Sequence, residues 1–137
     1  MNKKLTSAKL LVQAIKSCKY QQDLSLDSVK RYITCFRYLE KRDNVITPTD
    51  IWYLSNISSK NSGYRYTPVT FKNGDFGVKS EFIERQLCIL CKFLQQNPDE
   101  FFIEFEKVHP YNDGNGRVGE IIYYWMTGNF NTPKFHG

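Results

Sequence analysis

Apolar residues recur at helical spacing in separate stretches of the chain. The first stretch predicts an amphipathic helix over residues 5–19, because its apolar positions follow the i, i+3, i+4 pattern. These positions are Leu10, Leu11, Ala14, Ile15 and Cys18. A second helix is predicted to follow the capping residues Asp23, Ser25 and Asp27 and to run to about Lys41. Its apolar anchors are Val29, Ile33, Phe36, Tyr38 and Leu39.

Four more helices are predicted from the same period and from their start and stop signals. Thr47-Pro48 marks the start of the third helix, since Thr is a good N-cap and Pro suits the first turn. We expect that helix to end near Asn56. The remaining helices are predicted over Ser80 to Gln95, Pro98 to about Val108, and Arg117 to Met126. Residues 127–137 have the composition of a tail.

One segment breaks the helical pattern. Residues 64–71 are rich in β-forming side chains, and residues 76–78 form a second short extended stretch. Asn73-Gly74 between them is a strong hairpin signal. The sequence therefore predicts an all-α fold with one small β-hairpin, in a single domain that spans residues 1–137.

Composition and charge narrow the class of protein. The chain has 137 residues with 41% hydrophobic and 15% aromatic residues, which indicates a folded globule with a real core. No apolar run approaches the ~20 residues that span a bilayer, and no signal peptide is evident, so we expect a cytoplasmic protein without a membrane partner. The net charge of +5 suits an anionic ligand. The basic residues are scattered, which disfavours nucleic acid as the partner.

The cysteine spacing Cys88-Ile89-Leu90-Cys91 is compatible with a metal or redox pair. A zinc site needs a second pair of ligands at short range, and none is evident. The pair also lies within a helix with a broad apolar face. The pattern therefore favours buried core thiols.

The densest chemistry lies in His109-Pro110-Tyr111-Asn112-Asp113-Gly114-Asn115-Gly116-Arg117. A small-residue loop followed by an apolar helix leaves free backbone N–H groups at the positive end of that helix, which suits phosphate. Gly114, Asn115 and Gly116 allow close backbone approach to an anion, and Arg117 supplies a planar, permanently charged fork. Read alone, Gly-Asn-Gly could equally be a plain turn.

His109 and Asp113 add reactive groups to this phosphate loop. A His pKa near 6.5 suits a general base at neutral pH, so His109 is the candidate to take a proton from an attacking hydroxyl. Asp113 could hold Mg²⁺ through one oxygen while phosphate oxygens and waters complete the octahedron. The alternatives are a His109 that only caps the loop and an Asp113 that only forms a turn. His136 is the other histidine and lies in the tail.

These nine residues resemble the signature of the Fic family, His-Pro-Phe-x-Asp/Glu-Gly-Asn-Gly/Lys-Arg, with Tyr111 in place of Phe. The resemblance covers residues 25–135 and implies AMP transfer from ATP to a hydroxyl side chain of a target protein. It implies His109 as catalytic base and Asp113 as Mg²⁺ ligand. The nucleotide would be held by Gly114, Asn115, Gly116 and Arg117, with Asn115 at the α-phosphate. Tyr111 is expected to point into the core, where its hydroxyl needs a partner.

The predicted hairpin shares in the resemblance. Gly63-Tyr64-Arg65-Tyr66-Thr67-Pro68-Val69 is similar to the segment that opens the family's target-docking flap, here about residues 63–79. An exposed edge strand can add a target segment by main-chain hydrogen bonds. The resemblance implies docking of the target on Thr67, Pro68, Val69 and Thr70. The alternative is an ordinary surface hairpin.

The sequence departs from the family at Glu120, where many members have a second Arg that seats the terminal phosphate. A carboxylate there predicts repulsion of phosphate and weak ATP affinity. The family's inhibitory Ser/Thr-x-x-x-Glu motif has no clean copy. A motif that starts at Ser17 would have Gln21 at the position of the Glu. We expect an open site, restrained by a separate inhibitor protein if at all. Two alternatives remain: a binding protein with weak or lost catalysis, or a member that transfers phosphate.

Overall fold

The structure, a computed structural model, describes residues 5–43 and 45–135. Within these ranges the chain forms six α-helices and one three-residue 3-10 turn, Ser80–Phe82. The helices are α1 Ser7–Tyr20, α2 Leu26–Glu40, α3 Pro48–Ser59, α4 Ile83–Phe93, α5 Pro98–Val108 and α6 Asn115–Thr127. The predicted all-α fold is confirmed.

The helix starts follow from local chemistry. The hydroxyl groups of Thr6 and Ser25 accept hydrogen bonds from the first turns of α1 and α2. Thr47 and Asp50 form a capping box at α3, and Pro48 occupies its first turn. Pro98 likewise begins α5. Each cap satisfies backbone N–H groups that a helix start leaves without partners.

The core is organised around α6, which contacts α2, α3 and α5. Its side chains are buried almost without interruption from Val118 to Ile122, and Trp125 is buried as well. The main contributions of the other helices are Leu10, Leu39, Ile51, Leu54, Leu87 and Phe105, all at most 1% exposed. Each such side chain stabilises the fold by about 1.5–3 kcal/mol relative to exposure. The core therefore fixes α6, whose first turn carries the candidate site.

The predicted hairpin exists in a minimal form. One antiparallel bridge joins Thr70 to Phe76, and the Phe71 N–H donates to the Asp75 carbonyl at 2.8 Å. Gly74 has φ +92°, which a residue with a side chain rarely adopts. The turn around Asn73-Gly74 was thus correctly predicted, while most of the flap on both sides of it is irregular backbone.

Three expectations about the helices need correction. The third helix continues to Ser59, since Lys60 ends it in the left-handed conformation at φ +58°. Residues 80–82 form a 3-10 turn before α4 rather than its first turn. The N-terminus of α6 lies at Asn115, two residues before the predicted start, so Asn115 and Gly116 belong to the helix.

The predicted burial of both thiols in Cys88-Ile89-Leu90-Cys91 was wrong for Cys88. Cys91 is half-buried, but Cys88 is exposed and its thiol lies 3.5 Å from the Glu84 carboxylate. The physical reason is the period of α4, whose buried residues Ile83, Leu87 and Leu90 define a narrow apolar face. Among the described residues, no group of three or more His, Cys, Asp and Glu side chains could hold a metal.

The segment after α6 lies against the body of the protein. The Phe130 ring packs edge-on to Tyr20 at the end of α1, with 6.0 Å between centroids. The Phe135 ring packs edge-on to Phe71 in the flap, at 5.1 Å. This segment therefore connects the end of α1 with the flap. None of the described helices is long and apolar enough to cross a membrane.

Candidate active site

The loop between α5 and α6, residues 109–114, is held in place by hydrogen bonds from Arg65. Its guanidinium is 1% exposed and donates to the carbonyls of His109, Thr67, Val78 and Val108. The Arg65 backbone N–H also donates to the Pro110 carbonyl at 2.9 Å. One side chain thus joins the flap, the end of α5 and the loop. The carbonyl groups that accept from the guanidinium compensate the burial of its charge.

The side-chain amides of Asn115 and Asn61 also hold this loop. The Asn115 side chain accepts from the Tyr111 N–H at 2.9 Å and donates to the Tyr111 carbonyl at 2.8 Å. The Asn61 amide donates to the Asp113 carbonyl at 2.8 Å. These hydrogen bonds are made with backbone groups of the loop. They do not involve the side chains of His109 and Asp113. The loop is therefore pre-organised before any ligand binds.

His109 ends α5 in the left-handed conformation, with φ +47° and ψ +62°. The backbone therefore leaves the helix at the residue that carries the imidazole. In the described part of the chain no hydrogen bond engages the imidazole, and the Phe71 ring packs edge-on to it at 6.0 Å. Burial and the nearby Arg65 guanidinium lower the pKa of His109 from its usual value. The neutral, proton-accepting form therefore predominates at neutral pH.

The first turn of α6 offers uncapped donors. Gly114, the N-cap residue, has φ +73°, and no described side chain caps this helix start. A Cβ at Gly114 would lie 1.9 Å from the Ser59 hydroxyl oxygen, so a larger residue would displace the loop. The backbone N–H groups of the first turn, including those of Asn115 and Gly116, are free to bind an anion because helical pairing begins later.

Asp113 lies beside this helix start. Its side chain is exposed, and within residues 5–43 and 45–135 its carboxylate makes no hydrogen bond or ion pair. Mg²⁺ is commonly held by one or two carboxylates together with substrate phosphates and waters. A single free carboxylate next to an anion-binding helix end fits this mode, whereas a closed cage of protein ligands is not what the loop offers.

Arg117 is positioned by a carboxylate from another part of the chain. Its guanidinium lies 3.2 Å from the Asp23 carboxylate in the α1–α2 connection. The Ser28 hydroxyl donates to the same carboxylate at 2.7 Å and, with Arg117, lowers the pKa of Asp23. Arg117 keeps 19% of its side chain exposed. A phosphate at the start of α6 would therefore compete with Asp23 for the fork.

Glu120 requires the largest revision of the predicted site. It is 4% exposed and accepts a hydrogen bond from the Ser17 hydroxyl of α1, and the nearby Gln21 side chain also favours its charged form. Burial raises the pKa of Glu120 despite these donors. The carboxylate is turned toward α1, which supplies the donor that a buried carboxylate needs. Where the resemblance implies a Glu–Arg pair, this chain has a Gln–Glu contact.

A cavity of about 560 Å³ opens next to the first turns of α6. We call it the α5–α6 cavity. Gly116 and Glu120 line one wall, Phe102 and Glu106 of α5 a second, and Tyr20 and Gln21 a third. The remaining wall is the segment from Phe130 to Phe135. The cavity is thus continuous with the candidate phosphate-binding helix end and is bounded by aromatic rings.

The structure brings most of the predicted residues together. His109, Asp113, Gly114, Asn115, Gly116 and Arg117 lie on one loop and one helix turn. The flap residues Thr67, Pro68 and Thr70 are exposed and Val69 is half-buried. The Tyr111 side chain is fully buried as predicted, but its hydroxyl has no hydrogen-bond partner among residues 5–43 and 45–135. His136 lies outside the described residues.

Sequence reasoning missed the roles of Arg65, Asn61 and Asp23. Arg65 carried a signal, since an Arg inside a segment that resembles a flap was visible, but its carbonyl partners are brought together only by the fold. Asn61 and Asp23 lie in polar connections that offer no periodic pattern. The contact of Asn61 with Asp113 spans 52 residues of sequence, and that of Asp23 with Arg117 spans a much larger gap.

Comparison with known proteins supports the fold and does not reach the sequence level. No protein-family model matches this chain, and no curated protein matches it in sequence. Among solved structures, the fold is similar to that of a Fic family protein from Desulfovibrio desulfuricans G20, with a TM-score of 0.68 and 16% identity. The match covers 87% of this chain and 48% of that one, so the chain spans about half the length of that protein. At this identity the similarity shows a Fic-like fold.

Proposed function

We propose that this protein is a nucleotidyl transferase that moves AMP from ATP to a hydroxyl side chain of a target protein. The observation that carries the proposal is a loop whose backbone is held by Arg65, Asn61 and Asn115 while its reactive side chains make no hydrogen bond within the described residues. The imidazole of His109, the carboxylate of Asp113 and the uncapped N-terminus of α6 are left free together. Transfer of label from the α-phosphorus of ATP to protein tests the proposal.

His109 acts as the general base in this proposal. It takes the proton of the target hydroxyl through its neutral imidazole, the hydroxyl oxygen attacks the α-phosphorus, and pyrophosphate leaves. The lowered pKa of His109 supports this role, because the base is already unprotonated at neutral pH. Transfer should therefore rise with pH only below the usual His pKa and be on its plateau at neutral pH.

The start of α6 binds the phosphates. The free N–H groups of its first turn and the helix dipole stabilise the charge that develops on the α-phosphate oxygens. The guanidinium of Arg117 binds phosphate once phosphate has replaced the Asp23 carboxylate as its partner. Asn115 acts through its backbone N–H, because its side chain is engaged with Tyr111. This differs from the side-chain contact that the resemblance implies.

Asp113 is the proposed Mg²⁺ ligand. A bound Mg²⁺ would neutralise negative charge on the phosphates at this end of α6. Replacement of Asp113 by Asn, or addition of EDTA, is expected to abolish transfer and to weaken ATP binding, because the free carboxylate is the one anionic ligand the loop offers. Asp27→Asn serves as the control, since Asp27 lies in an exposed i,i+4 pair with Arg31. Full transfer by the Asp113 variant in EDTA would show that Asp113 is a turn residue.

The target protein is proposed to dock on the flap. Thr67, Pro68 and Thr70 are exposed, and the hairpin uses only one bridge, between Thr70 and Phe76, within the described residues. Main-chain groups there suit the addition of a target strand. Arg65 links this segment directly to the carbonyl of His109. Docking on the flap would therefore set the target hydroxyl relative to the base.

A second candidate is a nucleotide-binding protein with weak or lost turnover. Two contacts favour it: Asp23 occupies Arg117, and Glu120 brings a carboxylate to the wall of the α5–α6 cavity. Both oppose a triphosphate by charge. A separate inhibitor protein could exploit the same end of α1. Measurable ATP binding without transfer of either label would favour this candidate over the transferase.

A further inference from the structure

One carboxyl in the α5–α6 cavity has no role in the mechanism above. Glu106 lies on α5, one helical turn before His109, and lines the cavity beside Phe102. Its Oε1 atom is buried without a hydrogen-bond partner in the described part of the chain. Such a group destabilises the fold, since a buried acceptor without a donor has lost its hydrogen bonds to water and gained none in return. Because Glu106 lines the cavity, a ligand bound there can supply a donor to its carboxyl group.

The position of Glu106 is set by close contact between α5 and α6. A Cβ at Gly119 would lie 3.1 Å from Glu106 Oε1 and 3.2 Å from a ring carbon of Phe105. Gly119 thus lets the two helices approach and leaves the carboxyl against the backbone of α6. Gly119 is one helical turn after Gly116, at the anion-binding end. The carboxyl therefore lies about one turn of α6 beyond the helix start where the phosphates are proposed to bind. In a nucleotide the base likewise lies at a distance from the phosphates.

The surroundings of Glu106 suit a flat heteroaromatic ligand. Tyr20, Phe102 and Phe130 supply aromatic surface to the cavity, and its volume of about 560 Å³ exceeds what a purine requires. Aromatic faces stack on bases without regard to their sequence identity. The polar edge of the base must then be read by a hydrogen-bonding group, and Glu106 is the carboxyl in this wall without an internal partner.

We infer that Glu106 is a specificity-determining residue that recognises the amino-bearing edge of adenine. The exocyclic amine donates to one carboxyl oxygen, and an adjacent ring nitrogen accepts from the other when the carboxyl is protonated. Burial raises the pKa of Glu106 to about 7, so a large share of the carboxyl is neutral at neutral pH and can both donate and accept. The inference rests on the proposed function, because it assumes that a nucleotide lies against α6.

Matched nucleotides test the inference by binding alone. Purine riboside triphosphate is ATP without the exocyclic amine, and calorimetric titration of both ligands into the wild-type chain isolates that group. We expect ATP to bind tighter by about tenfold or more, because the analogue leaves a buried acceptor unpaired. GTP and inosine triphosphate form the corresponding pair for guanine, and we expect no dependence on the amine there.

Two variants assign the preference to Glu106. Glu106→Leu should abolish the difference between ATP and its analogue, while Glu106→Gln should keep most of it, because an amide also donates and accepts. Glu104→Leu is the control on the same helix, since Glu104 pairs with Lys107 and lines a different cavity. Thermal melts confirm that each variant is folded.

Several results would overturn the inference. These are equal binding of ATP and its analogue to the wild type, a preference that survives in Glu106→Leu, or an amine preference confined to the guanine pair. If ATP binds and its α-label is transferred while Glu106 has no effect, the proposed function stands and only this inference fails. If no nucleotide binds and no label is transferred, both fail.

Discussion

Replacement of His109 by Asn is expected to lower AMP transfer by at least ~10²-fold while leaving the protein folded. The reason is that the imidazole makes no hydrogen bond within the described residues, so its removal costs the fold little. Asn tolerates the left-handed conformation that His109 adopts at φ +47°, which Ala does less well. Initial rates of transfer and a urea melt of each protein measure the two parts of this prediction.

The neighbouring Asn112 supplies the matched control. It is exposed on the same loop, and no role in binding or catalysis is assigned to it. Asn112→Ala should transfer at the wild-type rate. Unchanged turnover in His109→Asn would exclude His109 as the base, and a loss of folding in that variant would mean that the imidazole is structural.

Replacement of Arg65 is expected to have the largest effect on stability. Arg65→Met removes a buried fork that donates to four carbonyls, which belong to His109, Thr67, Val78 and Val108. Each carbonyl left without a donor costs roughly 1–3 kcal/mol, partly recovered by water, so we expect a loss of about 3–5 kcal/mol in the free energy of unfolding. Transfer should fall as well, because the loop that bears His109 loses its anchor. Urea unfolding measures the loss.

A milder variant and a surface control complete this experiment. Arg65→Lys keeps the charge but cannot form the fork, so it should fall between wild type and Arg65→Met. The exposed Arg85 on α4 provides the control, since Arg85→Met should change stability by no more than about 0.5 kcal/mol. Stability of Arg65→Met within about 1 kcal/mol of wild type would contradict the role assigned to Arg65.

The sequence was sufficient for the helical framework because local signals agree with the tertiary structure. Thr47-Pro48 predicted the start of α3 through chemistry that needs no distant partner, and the structure has the full capping box there. The apolar period predicted a helix over Arg117 to Met126, and α6 covers that range. Elements whose ends depend on other segments were less well predicted, as at Lys60 and at the 3-10 turn Ser80–Phe82.

The candidate site was predicted only in its contiguous part. Residues 109–117 could be read as a phosphate loop because all its groups are adjacent in sequence. The partners that hold it come from elsewhere: Arg65 from the flap, Asn61 from the end of α3 and Asp23 from the α1–α2 connection. Nothing in the sequence pairs these residues with the loop, because only the fold brings them close to it.

The surroundings of Glu120 likewise could not be predicted from the sequence. Read in sequence alone, its carboxylate was expected to repel a terminal phosphate unless it turned away. In the structure it is buried against α1, and the Ser17 hydroxyl donates to it. The end of α1 is therefore in direct contact with the candidate nucleotide cavity, and ligand access depends on α1 as well as on the motif loop.

The measurement that tests the central claim most directly is the fate of the two labels of ATP. Wild-type protein and His109→Asn would be incubated with ATP labelled at either the α- or the γ-phosphorus, together with Mg²⁺ and a cell lysate as the source of targets. We predict α-label on protein with the wild type, none with His109→Asn, and no transfer of γ-label by either. Transfer of γ-label instead of α-label, or α-label transfer that persists in His109→Asn, would contradict the account.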